Sequence, residues 1–272
     1  MVNINTLCLI AAAALFARSQ SKGRSHPEYA KYFRLLRVCG VVFVFVALYR
    51  SVFVSSYPGR LAWFNIILNS PFVVRCFACF AEMSFIGMIA AILTKLNREL
   101  SPAPTDRRGV LLSKTPLVAV AFIFIAQFFA FGGLITQRSV LFAIEEALWA
   151  AAFISIAPLV LAGFLKTRKK QPDVSLSCRL FFAVMAVWCF GYIAFQCFYA
   201  LPFLYLPGLS ADAGVVVPPD ALHRAIHGYT ATRDFDAFGG VGFFVWHTGY
   251  FTLCVWMSLL FMTGPLKKRV RL

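Results

Sequence analysis

The chain is 272 residues long, 60% hydrophobic and only 14% charged, with 30 Phe and a formal net charge of +15. Soluble domains carry charge on about a quarter of their residues, so this composition excludes an ordinary soluble globular protein. Lys and Arg fall in short runs beside apolar stretches, without a zinc finger, a phosphate loop or an aromatic RNA-reading pattern. That argues against nucleic acid and for a lipid bilayer with anionic headgroups as the partner.

In chain order, the first apolar stretch is 5–17, shorter than the roughly 20 residues a span requires. Its length and the Ala-Leu-Phe-Ala before Arg18 suit a signal peptide, but no basic segment precedes it. Cleavage would also leave residues 18–37 on the translocated side, against their net charge of +5. A first membrane helix with its N-terminus outside is the preferred reading; an interfacial segment is the alternative.

Full-length spans follow at 38–56, 71–94, 116–137, 140–165, 180–205 and 241–264. Between them, 95–115 carries +3, 166–179 carries +4, and the tail from Lys267 to Arg271 carries +4. Connections on the other face sum to zero. By the positive-inside rule the basic segments are cytoplasmic. The expectation is therefore an all-α polytopic bundle of seven helices, six in the alternative, with N-terminus out and C-terminus in.

Local signals place the helix ends. Ser70-Pro71 reads as an N-cap followed by Pro at the first helical position, and 61–70 as a connection at the outer interface. Pro158 is expected to kink its helix, and Pro202 and Pro207 to mark the outer end of the sixth span. The long outer loop 206–240 contains Pro218-Pro219-Asp220 and ends a short apolar run at Gly228, which predicts a two-turn helix over 220–228. No repeat or domain boundary is visible.

Ionisable groups inside spans cost a few kcal/mol unless paired or hydrated. They are Arg50, Arg75, Glu82, Glu145, Glu146 and His247, joined by Gln127 and Gln196. Most fall at similar depth in the outer half, which predicts a shared polar cluster. As a cavity it would bind or conduct a small solute or proton, with Glu82, nearest mid-membrane, as the responsive carboxylate. In the plainer account Arg and Glu neutralise one another and fix helix packing, while Glu145 and Glu146 favour a helix N-terminus.

Asp220, His223 and His227 would share one face of the outer helix, a spacing that can hold a divalent metal; ordinary surface polarity is the competing account. Cys76-x-x-Cys79 in an apolar helix reads as small-residue packing, and the eight Cys outline no disulfide framework. The last span has no Lys for a retinal Schiff base. A single intramembrane His cannot ligate haem from both sides. No cofactor is legible.

Several strings occur together: Arg50-Ser51, Arg60, Asn69-Ser70, Arg75 and Ala81-Glu82 with Phe85. Glu145-Glu146 with Trp149 and Arg233-Asp234 follow, then Trp246-x-Thr248-Gly249-Tyr250-Phe251 and Trp256-x-Ser258. Over about residues 37–262 this arrangement resembles a family of uncharacterised multi-pass membrane proteins. The resemblance implies no activity, substrate or cofactor. It implies that the polar membrane residues belong to the family pattern. Two other classes remain open: a structural or assembly subunit of a larger membrane complex, and a metal-dependent membrane enzyme.

Overall fold

The computed structural model describes residues 2–25, 27–100, 107–168 and 174–266. The basic tail Lys267–Arg271, together with Asp106, Lys169, Lys170 and Asp173, lies outside the described residues. Apolar runs of this length leave the helix as the structure that pairs every backbone N–H and C=O internally. Helices form over α1 (Val2–Ser25), α2 (Pro27–Val52), α3 (Pro71–Leu100), α4 (Arg107–Thr136), α5 (Ser139–Thr167) and α6 (Leu176–Phe195). A π-helical stretch, Gln196–Tyr205, prolongs α6; α7 (Ala221–His227) and α8 (Gly240–Met262) complete the set.

Six of these, α2 to α6 and α8, are long and apolar enough to cross a membrane. The expected span at 5–17 is not among them. Its apolar part is Ile4–Leu15, and the remainder of α1 carries Arg18, Lys22 and Arg24. The second span also ends earlier than expected. α2 stops at Val52, and Ser55–Ser56 pairs instead as strand β1.

Consecutive long helices pack as neighbours, and α8 returns to lie on α2 and α1. In the middle is α3, touching α2, α4, α5 and α8. A run of rings joins four helices at the core. Phe43 lies 5.0 Å from Phe85, Phe85 6.1 Å from Phe261, and Phe261 5.2 Å from Phe181.

One end of the bundle gathers the described basic segments. Lys95 sits over the Tyr29 ring at 4.6 Å, and Leu100 and Lys166 lie together beside Phe182. Here the Tyr32 hydroxyl donates to the Pro265 carbonyl at 2.9 Å, Arg37 Nε to Met262 O at 3.3 Å, and the Ser175 hydroxyl to Leu266 O.

The opposite end is capped by the two connections 53–70 and 206–239. Strand β1 (Ser55–Ser56) pairs antiparallel with β2 (Leu61–Ala62), and β2 pairs parallel with β3 (Thr230–Ala231). Pro71 does begin α3, but the Ser70 hydroxyl donates to the Ile226 carbonyl at 2.7 Å and so ties α7 down instead of capping its own helix. Entry into α8 needs two left-handed residues, Gly239 (φ 103) and Gly240 (φ 57), a geometry glycine adopts without steric cost.

Two long-range caps complete this end. Arg60 donates to the carbonyls of Leu134 (3.2 Å) and Ile135 (2.6 Å) in the last turn of α4. The Asp212 carboxylate accepts the free N–H groups of Ser139 and Val140, both at 2.7 Å, at the start of α5. Capping losses cost about 1 kcal/mol, in a range of roughly 0.5–2. Asp212→Ala is therefore expected to lower the thermal unfolding midpoint in detergent, while Asp212→Asn keeps one acceptor and loses less.

Candidate functional site

Arg75 lies one turn into α3, and Glu82 faces it two turns further on. The pair is bidentate, with Nη1 donating to Oε1 at 3.0 Å and Nη2 to Oε2 at 2.9 Å. Gln127 of α4 closes the arrangement. Its Oε1 accepts from Arg75 Nη2 at 2.6 Å, and its Nε2 donates to Glu82 Oε2 at 3.0 Å and to Ile123 O at 3.0 Å. From α5, Glu145 Oε1 comes within 3.4 Å of Arg75 Nη1. Arg75 is only 2% exposed and also meets the faces of Tyr57 and Phe131 at 5.6 and 6.0 Å. Three helices are thus locked around one guanidinium. Glu82, expected as the responsive carboxylate, has both oxygens engaged.

Glu145 and Glu146 do not open their helix; they sit nearly two turns into α5, past the reach of its N-terminal dipole. Successive helical residues project about 100° apart, so the two carboxylates serve different neighbours. Glu145 turns to Arg75. Glu146 turns to α6, where Tyr205 Oη donates to Oε1 at 3.2 Å and Tyr192 Oη to Oε2 at 3.4 Å. Gln196 Nε2 also donates to Glu146 Oε2 and reaches Tyr192 Oη at 2.7 Å. Among the described residues no Lys or Arg lies within ion-pair distance of Glu146.

Arg50 and His247 make a third group. The Arg50 guanidinium stacks over Phe251 at 4.5 Å and Tyr57 at 5.6 Å, and its carbonyl is 3.4 Å from His247 Nε2. His247 is wedged between Phe243 and Phe251, ring centres 5.2 and 4.8 Å away. Tyr57 links this group to Arg75, with its hydroxyl buried and without a partner among the described residues. Burial pushes its phenol above the ordinary value, opposed by the two nearby guanidiniums.

Beside Glu146 opens a cavity of about 1500 Å³ between α6 and α8. Its walls are apolar for most of their length, with Val187 and Phe195 on one side and Val241, Leu253 and Leu260 on the other. The carboxylate and amide of the lining, Glu146 and Gln196, sit at the capped end with Tyr192, Tyr205 and Ser56, while Trp188 and Tyr250 line it further along. Neither Arg75 nor Glu82 lines it.

The residues of the 206–239 connection stand apart. Both Asp220 oxygens lie 2.9 Å from Arg224 Nε, which holds that carboxyl below the usual carboxylate range. The rings of His223 and His227 pack on each other at 4.8 Å. Among the described residues no three His, Cys, Asp or Glu side chains come together as a metal set. In this arrangement the Asp220 carboxylate pairs with Arg224, four residues on, rather than with the two histidines. Among the described residues Cys76, Cys79 and the other cysteines form no disulfide.

Tyr57, Tyr192 and Tyr205 belong to the site and were not singled out from sequence. Tyr192 had a signal, since it shares a helix face with Gln196 four residues on. Comparison with protein-family models, curated proteins and solved structures finds no match to this chain.

Proposed function

We propose that the chain is an integral membrane protein of seven passes, with its basic end cytoplasmic, that binds a small solute in the cleft between α6 and α8. The positive-inside rule supports the orientation. The seventh pass is α1. Asn5 Nδ2 donates to Ser51 Oγ at 2.6 Å near the capped end of α2, and Cys8 and Ala12 are buried. From there α1 runs about 30 Å by helix rise, back to the basic end. The polar residues carried over from the resemblance then divide by role. Arg75, Glu82, Gln127 and Glu145 hold helices together, and Glu146 with Gln196 meets the solute.

One observation carries this reading: a carboxylate with no Lys or Arg within ion-pair distance among the described residues opens onto a cavity of about 1500 Å³. Among the described residues Gly191, on the cavity wall, has nothing within 4 Å of where a Cβ would stand. Gly191→Phe is therefore expected to fill the cleft without disturbing the fold. Native mass spectrometry of the full-length protein with single-chain alcohols and amines of graded length should give a saturable one-to-one adduct. Gly191→Phe should abolish it and leave the unfolding midpoint within about 2 °C, as for a surface-like change. No saturable adduct with any chain, or one that survives the filling, would sink the proposal.

A further inference from the structure

The cavity's shape and chemistry narrow its occupant. Its lining follows α6 and the π-helical stretch from Ala183 to Tyr205, about 30 Å by helix rise, close to the thickness of the hydrocarbon core. A pocket for a compact ligand holds roughly 300–1,000 Å³; this one is larger, long and apolar. The carboxylate and the amide sit at one end, with the rings of Trp188 and Tyr250 further along. Such a slot matches a molecule with one extended chain and one small head.

The head is specified by what the polar end lacks. Glu146 is surrounded by hydroxyl and amide donors but by no cation among the described residues. Gln196 is 0% exposed, and among the described residues its Oε1 is buried with no donor. The same amide carbon carries the Nε2 that donates to Glu146, so the vacant acceptor and the carboxylate are a few Å apart. An ammonium group has three donors and a positive charge. It would satisfy both acceptors and neutralise the carboxylate. A phosphate or sulfate head would meet repulsion at Glu146.

Resting on the cleft reading above, we infer that the cleft between α6 and α8 takes a single-chain amphiphile bearing a protonated primary amine, seated on Glu146 and Gln196. The chain contributes little to selectivity. It leaves one apolar medium, the bilayer, for another, so no hydrophobic gain accrues, as for helix association in lipid. Discrimination rests with the head. A charge-assisted hydrogen bond is stronger than a neutral one by enough to give about tenfold in affinity.

The test compares octadecylamine, octadecan-1-ol and octadecyl sulfate on the full-length protein in lipid nanodiscs at pH 7, titrated by native mass spectrometry. The amine is expected to bind at least about tenfold more tightly than the alcohol, and the sulfate least well. Glu146→Gln keeps the length and an acceptor oxygen for the tyrosine hydroxyls. It should remove the preference for the amine, so that amine and alcohol bind alike. Equal binding of amine and alcohol to the unaltered protein overturns the head assignment yet leaves the cleft reading intact, as does tighter binding of the sulfate. A preference for amine that persists in Glu146→Gln overturns the assignment to that carboxylate. Failure of all three chains to bind overturns the cleft reading itself. The unaltered protein's ranking of the three heads stands even where the variant folds poorly.

Discussion

Arg75→Met should destabilise the folded protein by about 3–5 kcal/mol, the usual consequence of removing one partner from a buried ion pair. Three groups are stranded at once. Glu82 loses both of its bidentate donors, Glu145 its counter-charge, and Gln127 Oε1 the donor at 2.6 Å. Solvent cannot compensate at a residue 2% exposed. The expected readout is a fall in monodisperse protein on fluorescence size-exclusion chromatography and a markedly lower unfolding midpoint. Arg75→Met combined with Glu82→Met removes a full pair and should recover much of the loss, since a paired buried charge is itself costly to desolvate. If Arg75→Met alone folds as well as the unaltered chain, the guanidinium does not hold these helices.

Gly163→Ala should be the next most damaging change, at about 1–3 kcal/mol, the range for forcing extra methylenes into a packed core. The added methyl would stand 2.0 Å from Cε1 and 2.3 Å from Cζ of Phe182, where α5 meets α6. Phe182 has little freedom to retreat. It is buried and packs edge-on against Phe181 at 5.3 Å, which in turn packs on Phe261 of α8. Gly191→Ala adds the same methyl to α6 where nothing lies within 4 Å and should be close to neutral. Thermal unfolding of the two variants side by side checks the contrast. Equal midpoints would mean that α5 and α6 are packed less tightly than described.

Much of the bundle was legible beforehand because twenty apolar residues in a row admit few structures in lipid. The cluster's membership was legible too, because a charge at membrane depth needs a reason to be there. Partnership was not. Glu145 and Glu146 are neighbours in sequence and were assigned one role, yet a 100° turn of helix sends them to different helices. The same gap hid the caps. Asp212 reaches Ser139 across 73 residues of chain, and Arg60 reaches Leu134 across 74. Ser70 carried a correct local signal for an N-cap and lost it to a carbonyl brought up by α7. The cleft had no local signature at all. It exists because α8 settles on α1 and α2 and leaves α6 largely uncovered.

The way α8 is moored bears on how anything enters beside it. Its far end is strapped to α2 by Tyr32 and Arg37, its His247 leans on the Arg50 carbonyl, and β3, a few residues before it, is stitched into the cap. A rod fastened at both tips cannot swing like a door. For the proposed solute this leaves sideways entry from the lipid, across lips where Gly249 and Gly191 present no side chain to obstruct it.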